Sequence, residues 1–234
     1  MTTPLLPPDD GELRLIVFDW DGTLMDSPRR IIYCLQRASR TLGVVVPPEE
    51  ALRDIIGLGV EAAVQRLFPE ADAEFVQRFA VTYRKCYLGA DDAPDTPMYS
   101  GVTELLDWLE GRGCLLAVAT SKSRPGLDQA LAKSGLEGRF VATASGDEHP
   151  SKPHTSMLEF VMDRAGVERG RTRMVGDSVY DLQLARAARV PAIAVTHGVH
   201  DVERLRAEEP LALVADLHEL LARLRADAAG ATTN

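Results

Sequence analysis

Six short apolar runs punctuate the chain, at residues 15–18, 115–119, 140–142, 174–175, 192–195 and 211–214. None alternates apolar with polar positions, as a strand with one wet face does. Continuous apolar runs of this length predict parallel strands covered on both faces. Between them, apolar residues recur three and four apart. Val102, Leu105, Leu106 and Leu109 mark a helix over residues 101–112, and residues 125–134, 155–165 and 181–188 read likewise. Strand alternating with helix predicts an α/β fold, a doubly wound parallel sheet of Rossmann type.

The stretch 24–97 breaks that rhythm. It holds no strand-like run, and helical spacing covers residues 29–42, 48–55, 60–67 and 73–88. Pro47-Pro48 suits a helix start and Pro69 a helix stop. Residues 89–97, GADDAPDTP, have the composition of a linker. The expected organisation is therefore a core from residues 1–23 and 98–234, with an all-helical domain, 24–97, inserted straight after the first strand. The tail, 226–234, is expected to fray.

Composition narrows the function. With 234 residues and 45% hydrophobic content the chain can bury a full core. A formal net charge of −9 argues against gripping nucleic-acid phosphates, which takes a basic face. The amino terminus lacks the basic start of a secretory signal, and no apolar run approaches the ~20 residues that cross a bilayer. A cytoplasmic protein with no membrane partner is the expectation. Three cysteines with no CxxC pair point to free thiols, not zinc or a disulfide framework.

Open parallel sheets bind ligands beyond the carboxyl ends of their strands. There the first run is followed by Asp19-Trp20-Asp21-Gly22-Thr23 and the second by Thr120-Ser121. The fourth is followed by Gly176-Asp177-Ser178-Val179-Tyr180-Asp181, and Lys152 stands in a loop before a helix. Acidic residues crowded on one edge repel unless a cation joins them. Oxygen donors without soft ligands make that cation hard, with Mg2+ the first choice. Carboxylates, a lysine and small hydroxyls around such an ion suit phosphoryl transfer, which depends on positioning and charge neutralisation. Asp19, ionised at neutral pH, is the candidate nucleophile, and Asp21 the candidate acid/base.

These four segments, in this order, resemble the motifs of the haloacid dehalogenase superfamily, and the likeness runs over about residues 15–224. Ile56-Gly57-Leu58-Gly59, Gly101-Val102 and Ser151-Lys152-Pro153-His154 resemble its phosphoglycolate phosphatase-like branch. The helical insertion resembles that branch's cap. The resemblance implies a haloacid dehalogenase-like core and a phosphatase of a small phosphorylated metabolite, with 2-phosphoglycolate the first substrate to consider. It implies that Asp19 carries the phosphoryl group and ligates Mg2+, while Asp21 acts as acid/base and ligates through its carbonyl. Thr120 and Lys152 would hold the phosphoryl group, and N–H groups around Gly22 and Ser121 would cradle its oxygens. Asp177 would ligate the metal, and Asp181 would support it directly or through water.

Trp20, Ser121, Thr155 and Ser100 depart from the branch's usual residues, the first two beside the site. Trp20, Arg53 and the loop Gly57-Leu58-Gly59 are candidates for meeting the rest of the substrate. The spacing Gly57-Leu58-Gly59-x-x-Ala62 mimics a dinucleotide fingerprint but follows a helix, not a strand. Among the histidines, only His154 is a candidate for supporting the site. A phosphosugar mutase or inorganic pyrophosphatase can share such a site, and a non-catalytic binding protein can share the fold.

Overall fold

The structure, a computed structural model, describes residues 5–6 and 14–231. Six parallel strands form one sheet: β1 (Arg14–Phe18), β2 (Cys114–Ala119), β3 (Ala142–Ala144), β4 (Thr172–Gly176), β5 (Ala192–Val195) and β6 (Ala212–Val214), in the order β3-β2-β1-β4-β5-β6. The chain works outward from β1 to β3, then restarts on the other side of β1 with β4. The crevice between β1 and β4 is therefore the switch point where such sheets bind ligands.

Successive residues of each strand face opposite layers. Ile16, Phe18, Leu116 and Val118 pack with α5 (Val102–Gly111), α6 (Arg124–Ser134) and α10 (Leu217–Ala231). Leu15, Val17, Ala117 and Ala119 pack with α7 (Ser156–Ala165), α8 (Val179–Ala188) and α9 (Val202–Ala207). Two apolar faces explain why the strand runs carry no polar alternation. Among the described residues no helix is long and apolar enough to cross a membrane.

Between β1 and α5 lie four helices: α1 (Pro28–Thr41), α2 (Glu49–Asp54), α3 (Val60–Leu67) and α4 (Ala73–Gly89). They bury a core of their own, including Ile31, Leu35, Leu52, Ile55, Val64 and Phe79. The chain leaves for these helices and returns side by side. Asp26 N–H donates to the Pro97 carbonyl at 2.8 Å and Tyr99 N–H to that of Leu24 at 3.0 Å. All three cysteines are buried thiols outside any disulfide, and Cys34 and Cys86 bring α1 and α4 together with sulfurs 2.7 Å apart.

Three local expectations need correction. The third strand covers residues 142–144, not 140–142, because Ala142, Thr143 and Ala144 are the residues in register with Ala117, Val118 and Ala119. Phe140 instead meets Trp20 edge-on, ring centroids 6.3 Å apart, and Val141 is half exposed. α8 starts at Val179, two residues before Asp181, because Ser178 and Asp181 form a capping box that fixes the start. Helix α10 runs to Ala231, taking in the first six residues of the tail expected to fray, and 232–234 lie outside the described residues.

Candidate active site

Asp19 leaves the end of β1 with its N–H donating to the Val175 carbonyl at 2.9 Å, which ties it to β4 at the crevice. The chain then turns tightly: the N–H groups of Leu24 and Met25 both donate to the Trp20 carbonyl at 3.0 Å. Gly22 makes the turn at φ +88°, and a Cβ there would lie 2.2 Å from Oδ2 of Asp177. A Cβ on Gly198 would lie 2.1 Å from the same oxygen. Two glycines thus hold open the place of the Asp177 carboxylate, which accepts from Thr23 Oγ1 at 2.7 Å and Val199 N–H at 2.8 Å.

Asp181 sits in the first turn of α8. One of its oxygens accepts from Ser178 N–H at 3.0 Å, and the other accepts from Lys152 Nζ at 2.6 Å. That same Nζ donates to Asp19 at 2.6 Å, on a side chain with no solvent exposure. One oxygen each of Asp19, Asp177 and Asp181 lies within 4.8 Å of the other two. Three buried carboxylates therefore face one ammonium. The imbalance shows in their acidities. Burial pushes Asp19 up to about 7, Lys152 opposing and Asp181 and Asp21 adding to the rise. Asp177 is raised well above the carboxylate range by burial and then by Asp19 and Asp181. Burial works against the charge of Lys152, but Asp181 and Asp19 outweigh it and hold the lysine above its ordinary value. An oxygen-only cluster short of positive charge fits a divalent cation held by these three carboxylates.

Asp21 stands apart from that cluster. Its Oδ1 accepts from Ser27 Oγ at 2.6 Å and pairs with Lys122 Nζ at 3.0 Å. Lys122 also donates to Tyr87 Oη at 2.8 Å and lies 4.1 Å from the Tyr87 ring centroid, so a residue of α4 closes on the acid through a lysine.

The sequence matches haloacid dehalogenase-like hydrolases over residues 16–195. The chain belongs to that family. It is 35% identical over 216 residues to the "Probable phosphatase IndB" of Dickeya dadantii, spanning 88% of this chain and 91% of that one. It is 32% identical over 202 residues to a phosphoglycolate phosphatase of Agrobacterium fabrum, spanning 83% and 85%. Its fold superimposes on a hydrolase from Pseudomonas syringae with a TM-score of 0.83 at 20% identity, over 91% of this chain and 98% of that one. The chain is a phosphoric monoester hydrolase of the phosphoglycolate phosphatase-like branch.

In this haloacid dehalogenase-like hydrolase, Asp19, Lys152, Asp177 and Asp181 converge directly. Thr120 is buried at the end of β2, its Oγ1 accepting from Lys122 N–H at 3.2 Å. The remaining candidates divide. Ser121 Oγ donates to the Gly57 carbonyl at 2.7 Å, and Gly59 N–H donates to Ser151 Oγ at 2.8 Å. The loop 57–59 is thereby fastened across the site, and Leu58 lines the cavity beside Asp19. Gly22 does not offer a free N–H for phosphate, because it donates to the Met25 carbonyl at 2.9 Å; its contribution is space for Asp177. The Trp20 ring turns into the core, 1% exposed, and Arg53 lines an outer groove with Asp54, His200 and Arg204. Neither meets the cavity beside Asp19. His154 is exposed and accepts from Ser156 N–H at 3.2 Å, a helix-start contact away from the lysine's charge.

Sequence reasoning passed over Lys122. Its signal was compositional: the chain has only four lysines, and this one stands two residues past Thr120.

Proposed function

We propose that this hydrolase is a Mg2+-dependent phosphatase that cleaves a small phosphomonoester through an aspartyl-phosphate on Asp19. The observation that carries the reading is Lys152 Nζ set 2.6 Å from both Asp19 and Asp181, with Asp177 in the same buried cluster. Asp19, Asp177 and Asp181, with the Asp21 backbone carbonyl, would hold the ion. When bound it supplies positive charge to offset repulsion between Asp19 and an anionic phosphate.

The chain's own groups do the rest. A carboxylate oxygen of Asp19 bonds to phosphorus as the ester oxygen departs, and that oxygen takes a proton from Asp21. Asp21 then accepts a proton from water, which attacks phosphorus and returns Asp19 with release of inorganic phosphate. Lys152 and Thr120 hold the transferring group, Ser121 contributes at its edge, and Ser27 and Lys122 fix the direction of Asp21. Residues 24–97 serve as a cap whose loop 57–59 covers the site, and closure restricts the reaction to small esters and excludes water.

2-Phosphoglycolate is the substrate suggested by the names of several curated relatives, and it belongs in the first assays. The test is phosphate release from a broad panel of phosphorylated metabolites with Mg2+ and with chelator. Release that stops on chelation and returns with Mg2+ is expected. Release indifferent to chelation contradicts the metal's role, and an isomerised ester in place of free phosphate contradicts hydrolysis.

Gly198→Ala tests the cluster without touching a carboxylate. The added Cβ cannot coexist with Asp177 at 2.1 Å. Mg2+ affinity should fall roughly 10–100-fold, as when a group that orients a metal ligand is lost. A Mg2+ titration by calorimetry reads it, and unchanged affinity would show that Asp177 does not bind the ion.

A further inference from the structure

The cavity beside Asp19 is two-sided. Its floor is the polar edge of the sheet. Its far wall, from the inserted helices, presents Ile31, Leu35, Ile55, Val60 and Leu88, with Tyr83 and Tyr87 along one side. Among the described residues lining it, the cations are Arg84 and Lys122. Both are already committed: Arg84 Nη2 pairs with Glu61 at 2.8 Å, and Lys122 pairs with Asp21 at 3.0 Å and Tyr87 at 2.8 Å. A carboxylate on the departing alcohol would lie against that hydrocarbon, beside Asp21 and Asp147, and would have to compete with Glu61 and Asp21 for the two cations, losing hydration for little return. Methylene or ring carbon there would gain by leaving water. Arg53, the cation the sequence offered for such a contact, faces the outer groove.

We infer that the site is built for monophosphate esters of an uncharged, largely apolar alcohol, and discriminates against esters bearing a second anionic group, 2-phosphoglycolate included. This rests on the phosphatase reading and refines its substrate class. The selecting residues are Ile55 and Val60 on the wall, together with Glu61, whose carboxylate competes with any substrate anion for the Arg84 guanidinium.

Steady-state kinetics of the full chain with Mg2+ test it, using ethyl, propyl and butyl phosphate, phenyl phosphate and 2-phosphoglycolate. Among the alkyl esters kcat/KM should rise about fourfold per added methylene. 2-Phosphoglycolate should fall roughly tenfold or more below ethyl phosphate, its uncharged match in carbon number. Glu61→Gln, which releases Arg84, and Val60→Lys, which adds a cation to the wall, should each narrow that gap. 2-Phosphoglycolate turned over as well as butyl phosphate, or both variants leaving the ratio unmoved, overturns the inference while leaving a phosphatase. Metal-dependent release from none of these esters overturns the phosphatase reading itself, and the inference with it.

Discussion

Asp19→Asn leaves a folded protein whose turnover has dropped by roughly 10⁴–10⁶-fold, the scale of losing a nucleophile. The amide keeps the carbonyl oxygen that accepts from Lys152, so the local geometry has no reason to collapse. What it loses is the anion proposed to bond to phosphorus. The same substitution changes stability with a definite sign. The folded pKa of Asp19, about 7, lies above its ordinary 3.8, so between those values the folded state binds the extra proton. Stability from this group is full below pH ~4 and is lost as pH rises towards 7. Asparagine imitates the protonated acid at every pH. Without metal, the variant should therefore melt above the unaltered protein at pH 8, and the gap should shrink as pH falls towards 4. Thermal melts with chelator across that range check it. A variant melting lower at pH 8 would mean the Asp19 charge is well compensated without an ion.

Lys152→Ala should cost roughly a hundredfold or more in kcat/KM, the loss expected for one donor that stabilises transition-state charge. It should also destabilise the fold, because Asp19 and Asp181 share that single ammonium at 2.6 Å each and both carboxylates are buried. Breaking a buried pair from one side costs about 3–5 kcal/mol, an upper figure here since carboxylates left alone can take up protons. Mg2+ should recover much of the melting temperature, since its charge serves the same carboxylates, but little of the activity. A rate change under threefold would place the lysine outside the reaction, and a melting temperature unaffected in chelator would show that the cluster tolerates its own repulsion.

Much of this arrangement was legible in the sequence because it rests on local signals. A strand covered on both faces must be apolar throughout, so residues 192–195 are bounded identically by pattern and by structure. Polar residues placed right after such runs must emerge at one sheet edge, which is why Asp19, Thr120 and Asp177 were found together. What escaped depends on partners distant in sequence. β3 is set by pairing with β2, and small Ala142 and Ala144 carry less apolar signal than Phe140, whose ring serves the core. Trp20 adjoins Asp19 in sequence, yet neighbours at a strand end point opposite ways, and its ring joined the layer beneath α5 and α10. Arg53 occupies a helix of six residues, too short for periodicity to say which side faces the site. Lysines are usually solvated, and Lys122 is buried because Tyr87, from the end of α4, reaches it beside Asp21.

The identity of the nucleophile is open to direct capture. Acid-quenching the enzyme during turnover with Mg2+ and reducing it with borohydride converts a phosphorylated aspartate to homoserine, which peptide mass spectrometry locates. Homoserine at position 19, formed only when both ester and Mg2+ are present, is the expected result. Homoserine at a different carboxylate, or none while phosphate is being released, would contradict attack by Asp19.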